Sequence, residues 1–339
     1  MIVTIHHMAR ADEADHFRRA EQLEASFDGQ IRVFVIAAGA TKRETETRYA
    51  ASEVLITRKL AEATPVSEAL RLLQVPAAGY DLIKAELLPP GAALCNLTGH
   101  GPAMAEFVMA AILEWSIGFS GIARSFRSGK WQHGSAVGAP PHRELFGRTI
   151  SILGFGTVGA AIAARAKAFG MRVETLTRRR PSSASAVDLW HGPEALGPFT
   201  RNADFLVLAC PLTEETRGIV DRSFLGTMKP TAVLLNLARA EVVQEKDLFD
   251  ALQVGRIAGA VLDVWHRYPA VDDPEPRPSP FPFHELDNVI MTPHVAAWTD
   301  GVLERRWEGI ARNLRNLLTD RPLENRISRG RLRNGDGTR

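Results

Sequence analysis

The chain has 339 residues, of which 45% are hydrophobic and 24% are charged, and its formal net charge is +2. This length suggests about two domains, and the ample apolar fraction with interspersed charges excludes wholesale disorder. Because 41 basic residues are balanced by 39 acidic ones, charge gives no case for a nucleic-acid or membrane partner.

Cysteine usage and the N-terminal sequence bear on the compartment. Cys95 and Cys210 are too few for a disulfide scaffold and lack CxxC spacing. The N-terminus has no basic segment followed by an apolar stretch and a cleavage site. The most lipid-like stretch, 107–122, contains Glu114 and is short for a membrane span, so we interpret it as a buried helix. We therefore expect a cytoplasmic protein.

Apolar, β-rich segments alternate with helical ones in the first hundred residues. The alternation is typical of a parallel α/β unit. The pattern predicts strands at 2–5, 31–36 and 54–56 and helices at 15–27 and 67–73. A long apolar helix follows at about 102–119, and the Gly-, Pro- and His-rich loop 129–142 indicates a crossover between domains.

A second α/β series begins at Thr149 and extends to about residue 291. Its six predicted strands are 149–153, 172–176, 205–209, 233–237, 258–263 and 289–291. This rhythm is typical of a doubly wound sheet. The Pro-rich stretch 269–282 is predicted as a loop insertion. A last helix is predicted at 299–318 and a flexible tail at 326–339.

The strongest local motif is GFGTVG, which ends an apolar strand and opens an Ala-rich helix. Gly154 permits the tight turn, Gly156 lets the backbone approach a pyrophosphate, and Gly159 lets helix and strand pack closely. The helix N-terminus adds free N–H groups and a positive dipole. The motif predicts a dinucleotide-binding site.

The end of the next strand bears on which dinucleotide binds. An NAD site places an acidic residue there, but this position holds Thr177, followed by Arg178, Arg179 and Arg180. Guanidinium groups suit a 2′-phosphate, so NADP(H) is favoured over NAD(H), and a solvated arginine loop is the alternative. Glu174 shares no face with Thr177 by strand alternation and is not assigned to the ribose.

Several stretches together resemble the D-isomer-specific 2-hydroxyacid dehydrogenase family. They are GFGTVG, CPLTEETRG from Cys210, LLNLARAEVV from Leu234, GAVLDVW from Gly259 and NVIMTPHVAAWT from Asn288, with AAGYD from Ala77 and AMAEF from Ala103 upstream. The resemblance implies an α/β fold in which a Rossmann dinucleotide-binding domain, 116–294, is inserted into a flavodoxin-like substrate domain, 1–115 and 295–325. It also implies a homodimer and hydride transfer between nicotinamide and C2 of a small 2-oxo or 2-hydroxy acid.

The resemblance also implies roles for individual residues. Arg239 matches the arginine that holds the substrate carboxylate and keto oxygen, which a planar guanidinium does bidentately. His294 matches the acid/base, a role that suits the pKa of histidine. The backbone N–H groups of Ala78 and Gly79 match those that bind the substrate carboxylate. The implied cofactor contacts are Gly154, Phe155, Gly156, Thr157, Val158, Gly159, Thr177, Arg178, Arg179, Cys210, Pro211, Thr216, Leu237, Ala238, Asp263, His294 and Ala296.

One position departs from the family pattern. The family has a catalytic glutamate five positions after the aspartate of LDV, and here that position is Tyr268. A neutral tyrosine can orient the imidazole of His294 but does not stabilise its protonated form as a carboxylate does. We therefore expect a less basic His294 than in a typical relative. The alternative partner is a loop carboxylate from Asp272, Asp273 or Glu275.

Three further residues have open roles. His100 falls where formate dehydrogenases place a substrate-binding asparagine, although a loop histidine without a catalytic role is the alternative. Trp298 is a candidate pocket wall or an ordinary packing residue. Glu106, in the AE pair, fits either anchoring or chemistry.

The main hypothesis is an NADP(H)-preferring reductase of a small 2-oxo acid, of the glyoxylate or hydroxypyruvate type. Oxidation of formate or phosphite and a non-catalytic nucleotide sensor are the alternatives. No metal site is expected, because His6 and His7 diverge on a strand and neither GxSxG nor HExxH occurs.

Overall fold

The computed structural model describes residues 1–6, 13–37, 39–61, 66–181, 186–270 and 273–327. It divides into two compact units. Unit 1 comprises Met1–Gly99 and Asp300–Arg339, and unit 2 comprises His100–Thr299. These divisions differ from the boundaries expected near residues 115 and 295.

Unit 1 is built on a six-stranded sheet in the order β2-β1-β3-β4-β5-β13. Its strands are β1 (Ile2–His6), β2 (Arg32–Ile36), β3 (Val54–Ile56), β4 (Leu72–Gln74), β5 (Ala93–Cys95) and β13 (Arg326–Ile327). All neighbours are parallel except β13 and β5. The order of the first five strands is flavodoxin-like. The helices of this unit are α1 (Glu13–Ala25), α2 (Lys42–Ala51) and α9 (Asp300–Leu318).

Two expectations for unit 1 were wrong. The helix at 67–73 does not form, because Ser67 closes a short turn by accepting a hydrogen bond from Ala69 N at 3.1 Å. The residues Leu72–Gln74 then pair with β3 and β5, where the apolar run is buried on both faces. The tail does not begin at 326, because Arg326–Ile327 form β13; residues 328–339 lie outside the described part.

Unit 2 is built on a seven-stranded parallel sheet in the order β8-β7-β6-β9-β10-β11-β12, which is the Rossmann order. Its strands are β6 (Thr149–Leu153), β7 (Arg172–Leu176), β8 (Leu189–His191), β9 (Phe205–Leu208), β10 (Val233–Asn236), β11 (Gly259–Leu262) and β12 (Val289–Met291). Its helices are α3 (Gly101–Ile117), α4 (Phe119–Arg127), α5 (Thr157–Ala168), α6 (Leu196–Asn202), α7 (Arg222–Thr227) and α8 (Glu245–Gln253). The edge strand β8 was not predicted.

Helix α3 belongs to unit 2 because it packs closely on α5. A Cβ at Gly101 would lie 2.9 Å from the carbonyl oxygen of Thr157, so only glycine permits this approach of the two helices. The single apolar helix expected at 102–119 ends at Gly118, which adopts a left-handed φ of 71°. Among the described helices none alone is long and apolar enough to cross a membrane, and only α3 and α4 taken together, across a 55° bend, meet that criterion.

Candidate functional site

The glycine-rich turn between β6 and α5 has the geometry of a phosphate cradle. Gly154 has a φ of +96°, and a Cβ there would lie 2.7 Å from the carbonyl oxygen of Ala209. A Cβ at Gly159 would lie 2.5 Å from the carbonyl oxygen of Gly154. At Gly156 a Cβ would meet no atom within 4 Å, and no side chain caps the N-terminus of α5. The turn therefore excludes side chains where the chain packs and leaves open space in front of the helix N-terminus, which fits a pyrophosphate.

Thr177, at the end of β7, is engaged in two hydrogen bonds. Its Oγ1 donates to the carbonyl oxygen of Arg179 at 2.6 Å and accepts from Trp190 Nε1 at 2.9 Å. Arg178, Arg179 and Arg180 are exposed beside it. The hydroxyl hydrogen of Thr177 is thus bound to a backbone carbonyl. The positive charge beside the end of β7 comes from the three arginine side chains.

Glu174 lies in the interior of unit 2. Its carboxylate is buried and accepts hydrogen bonds from His191 Nε2 at 2.8 Å, from Asn202 Nδ2 at 3.1 Å and from Arg172 Nε at 3.1 Å. These bonds satisfy the carboxylate within the protein, so it is not available to a ribose.

The other residues expected to contact the cofactor follow the carboxyl ends of strands in this one sheet. Cys210, Pro211 and Thr216 follow β9, Leu237 and Ala238 follow β10, Asp263 follows β11, and His294 and Ala296 follow β12, while Phe155, Thr157 and Val158 lie in the turn after β6. Parallel strands present these ends at the same edge, where ligands bind in open α/β sheets. The loop after β9 is fixed by Thr216, whose Oγ1 donates to the carbonyl oxygen of Pro211 at 2.7 Å.

Arg239 lies on a loop that Asn236 fixes from the end of β10. Asn236 is buried, donates from Nδ2 to the carbonyl oxygen of Arg239 at 3.0 Å and accepts from Ala238 N at 3.1 Å. The guanidinium of Arg239 donates to the carbonyl oxygen of Ala238 at 2.8 Å. Sequence reasoning assigned no role to Asn236. Its signal was a polar side chain at the end of a buried strand, three residues before the arginine.

His294 lies on a loop that Asp263 fixes from the end of β11. The side chain of Asp263 is 1% exposed and accepts from Thr292 Oγ1 at 2.6 Å, Val295 N at 2.8 Å and Ala296 N at 2.9 Å. His294 itself has a φ of +61°, a left-handed conformation that costs an L-residue about 1–2 kcal/mol. The hydrogen bonds on both sides of His294 hold this conformation. The carboxylate of Asp263 therefore fixes the loop that bears His294.

Tyr268 and His294 are brought together. Tyr268 Oη lies 2.8 Å from His294 Nδ1, and the two ring centroids are 5.6 Å apart. The backbone N–H of Trp265 donates to the same tyrosine oxygen at 3.2 Å, and Trp265 Nε1 donates to the carbonyl oxygen of Thr292 at 2.8 Å. Because the tyrosine oxygen accepts from Trp265, its own hydrogen is available to Nδ1 of a neutral imidazole, whose proton then lies on Nε2.

The surroundings of Tyr268 keep it neutral. Burial raises the pKa of Tyr268, and the negative charges of Asp263 and Glu241 act in the same direction. The hydrogen bond from Trp265 N and the positive charge of Arg239 lower this pKa, but the net shift is upward. The partner of His294 Nδ1 is therefore a protonated hydroxyl. Of the loop carboxylates considered as alternatives, Asp272 lies outside the described residues.

In unit 1, the Ala78–Gly79 peptide has a fixed orientation. Asn96 Nδ2 donates to the carbonyl oxygen of Ala78 at 2.7 Å, and Leu97 N donates to the carbonyl oxygen of Ala77 at 3.0 Å. In a trans peptide the N–H points opposite to the C=O, so the N–H groups of Ala78 and Gly79 point away from the segment that contains Asn96 and Leu97. Asn96 was not singled out in the sequence.

The remaining candidates are placed as follows. His100 is buried at the N-cap position of α3. Trp298 is 49% exposed, and its backbone N–H closes a turn by donating to the carbonyl oxygen of Val295 at 2.9 Å. Glu106, on α3, forms an ion pair with Arg165 of α5 at 2.9 Å, which is an anchoring contact. Within the described ranges no group of three or more His, Cys, Asp or Glu side chains could hold a metal ion.

Comparisons with known proteins agree with this architecture. The sequence model described as "D-isomer specific 2-hydroxyacid dehydrogenase, NAD binding domain" matches residues 109–296. A glyoxylate reductase from Pyrococcus furiosus is 41% identical over 191 residues, which are 56% of this chain and 54% of that protein. The chain thus spans about half the length of this relative.

Two longer matches extend the similarity. A glyoxylate reductase from Korarchaeum cryptofilum is 34% identical over 257 residues, 75% of each chain. The solved structure of a D-isomer specific 2-hydroxyacid dehydrogenase from Xanthobacter autotrophicus Py2, in complex with NADPH and MES, is 26% identical with a TM-score of 0.75, covering 98% of this chain and 99% of that one.

Proposed function

Because the chain belongs to the D-isomer specific 2-hydroxyacid dehydrogenase family, we propose that it is an NAD(P)-dependent oxidoreductase of small 2-oxo and 2-hydroxy acids. In the reducing direction its substrate is a compound such as glyoxylate or hydroxypyruvate. The observation that carries this proposal is the pair formed by Tyr268 and His294, 2.8 Å apart, on the sheet edge that also presents the phosphate cradle.

When it is bound, the cofactor supplies or accepts a hydride. Residues of this chain bind the substrate, polarise its carbonyl and transfer the proton. The guanidinium of Arg239 binds the substrate carboxylate and polarises the carbonyl at C2. In unit 1, the family resemblance assigns the N–H groups of Ala78 and Gly79 to a substrate carboxylate. As a hydride reaches C2, the carbonyl oxygen takes a proton from Nε2 of the His294 imidazolium, which becomes neutral; oxidation reverses both transfers.

Tyr268 partners His294 in both protonation states. Toward the neutral imidazole the tyrosine hydroxyl donates to Nδ1, and toward the imidazolium its oxygen accepts from Nδ1–H while still accepting from Trp265 N. This arrangement holds the ring with Nε2 directed away from Tyr268 and adds no charge. We also assign Trp298 to the wall of the pocket and His100 to a substrate-binding role.

A cofactor oxidation assay tests the proposal. Purified protein is supplied with NADPH or NADH and a series of 2-oxo acids, and with NADP⁺ or NAD⁺ and formate or phosphite. Turnover of glyoxylate or hydroxypyruvate that His294→Ala abolishes is the expected result. Turnover of formate or phosphite alone would replace the proposal by oxyanion oxidation, and cofactor binding without turnover of any compound would favour a nucleotide sensor.

We further propose that the enzyme prefers NADP(H). The support is Thr177 in place of an acidic residue, the three exposed arginines beside it, and the NADPH bound by the Xanthobacter protein. The ratio of kcat/KM for NADPH to that for NADH tests this preference, and a ratio below one would overturn it.

A homodimer in the cytoplasm completes the proposal. Helix α4 exposes two large apolar side chains, Phe119 at 68% and Phe126 at 55%, which a second copy could cover. Sedimentation equilibrium tests the dimer, with Phe126→Glu as the variant expected to dissociate it. Cys95 and Cys210 are buried, unpaired thiols, as is usual in a reducing compartment; cell fractionation tests the location.

A further inference from the structure

We propose that Trp190 is a positioning residue for cofactor selectivity, because it fixes the turn that presents Arg178, Arg179 and Arg180 to a 2′-phosphate. This inference rests on the proposed preference for NADP(H). No motif of the sequence pointed to Trp190, since the strand that bears it was not predicted.

The first observation is the place of Trp190 in the sheet. It lies on β8, the edge strand next to β7, where it pairs with Thr175. The ladder continues one step beyond β7, because Thr177 N donates to the carbonyl oxygen of His191 at 3.1 Å. The indole of Trp190 and the side chain of Thr177 are thus held at the same end of the sheet by backbone pairing.

The second observation is a directional chain of hydrogen bonds. Trp190 Nε1, which can only donate, donates to Thr177 Oγ1 at 2.9 Å. Thr177 Oγ1 carries one hydrogen and donates it to the carbonyl oxygen of Arg179 at 2.6 Å. Each bond polarises the next, so the indole N–H strengthens the bond that holds the Arg179 carbonyl.

The consequence concerns both possible cofactors. A fixed Arg179 carbonyl fixes the peptide between Arg179 and Arg180 and therefore the directions in which their side chains leave the backbone. A phosphate held by such pre-positioned guanidinium groups meets less loss of side-chain entropy on binding. The Thr177 hydrogen is already used, so it is not available to the phosphate, and the arginines must supply the recognition. A ribose with a free 2′-hydroxyl does not use this group of charges.

Equilibrium binding tests the inference apart from turnover. Isothermal titration of the full chain compares adenosine 2′,5′-bisphosphate with 5′-AMP, which differ only in the 2′-phosphate. The wild-type protein is expected to bind the bisphosphate more tightly. Trp190→Phe keeps an aromatic ring without the N–H and is expected to weaken bisphosphate binding about 3- to 10-fold, the value of one neutral hydrogen bond. Its affinity for 5′-AMP is expected to stay within about twofold.

Thr177→Val is a second variant, and Thr231→Val, at an exposed turn residue before β10, is its matched control. Thr177→Val is expected to reproduce the selective loss, and the double variant with Trp190→Phe to add little to either single loss, because both remove the same chain of bonds. If the wild-type protein prefers the bisphosphate, two results for Trp190→Phe count against this inference: an unchanged preference, or equally weakened binding of both nucleotides. Either result would overturn this inference but not the proposed preference for NADP(H). Equal wild-type affinities would overturn the cofactor preference and the inference with it.

Discussion

The hydroxyl of Tyr268 and Nδ1 of His294 are 2.8 Å apart, at the position where the family resemblance leads one to expect a carboxylate. The backbone N–H of Trp265 directs the tyrosine hydrogen toward the imidazole. A tyrosine hydroxyl is protonated at neutral pH, and partial burial raises the pKa of Tyr268 further. The pair therefore orients the ring without a Coulombic contribution to the imidazolium.

Tyr268→Glu is expected to extend reductase activity to higher pH. Reduction needs the imidazolium of His294, which is lost as the pH rises through the histidine pKa. A carboxylate at this distance raises such a pKa by about 1–3 units, so the fall of kcat/KM should move upward by that amount. Tyr268→Phe lacks the hydroxyl and the charge and serves as the control. Coincident pH profiles for the wild-type protein and Tyr268→Glu would contradict the role given to this pair.

Arg239→Lys is expected to reduce kcat/KM for a 2-oxo acid by about 100-fold or more, because an ammonium does not reproduce a bidentate guanidinium–carboxylate contact. The loop itself should persist, since Asn236 holds it through backbone atoms. Binding of 5′-AMP, measured by titration, should therefore be unchanged. A kcat/KM equal to that of the wild-type protein would show that Arg239 does not bind the substrate.

Asp263→Asn is expected to lower both stability and kcat. The amide nitrogen cannot accept a hydrogen bond, so at least one of the three donors, Thr292 Oγ1, Val295 N or Ala296 N, loses its buried acceptor. Such a loss costs about 1–3 kcal/mol in the free energy of unfolding, and it also releases the left-handed conformation of His294. Urea denaturation measures the first effect and single-turnover reduction the second. A destabilised variant with wild-type turnover would show that the loop needs no such constraint.

Asn96→Ala is expected to raise KM for the acid substrate several-fold with a smaller effect on kcat. Without the side-chain amide, the carbonyl of Ala78 loses its 2.7 Å donor, and the N–H groups of Ala78 and Gly79 lose a fixed direction. Steady-state kinetics give the split between KM and kcat. Asn316→Ala in α9 is a matched control, because its Nδ2 donates to the carbonyl oxygen of Pro322 instead. Equal values of KM and kcat in the two variants would show that Asn96 has no role in substrate binding.

Both cysteines are expected to resist thiol reagents in the folded protein. Burial raises the pKa of Cys95 to about 12 and that of Cys210 to about 12. The thiolate is the reactive form, and it becomes abundant only as the pH approaches these values. Titration with a chromogenic disulfide at pH 8 should detect no rapidly reacting thiol, and two after denaturation in guanidinium. A fast-reacting thiol in the native protein would contradict this burial.

Much of unit 2 followed from the sequence because its signals are local. A buried parallel strand is a short apolar run, and GFGTVG between such a strand and an Ala-rich helix needs no distant contact to be recognised. Segments without a local signal were missed. Arg326–Ile327 forms a strand by pairing with the edge of β5, a contact that its own sequence does not indicate. The segment LRLLQV is compatible with a helix or a strand, and its pairing with β3 and β5 makes it a strand.

The sequence by itself determined the fold class and the family and predicted the candidate site residues, because these depend on motif spacing along the chain. Only the tertiary structure decided how the candidates are held. Asn236, Asp263 and Trp190 act on Arg239, His294 and Thr177 through bonds of 2.6–3.1 Å, and the last two pairs join different strands. Such contacts depend on which strands become neighbours and on where each side chain ends, which linear spacing does not contain. The 2.8 Å contact between Tyr268 and His294 is likewise a product of the fold, because 26 residues separate the two along the chain.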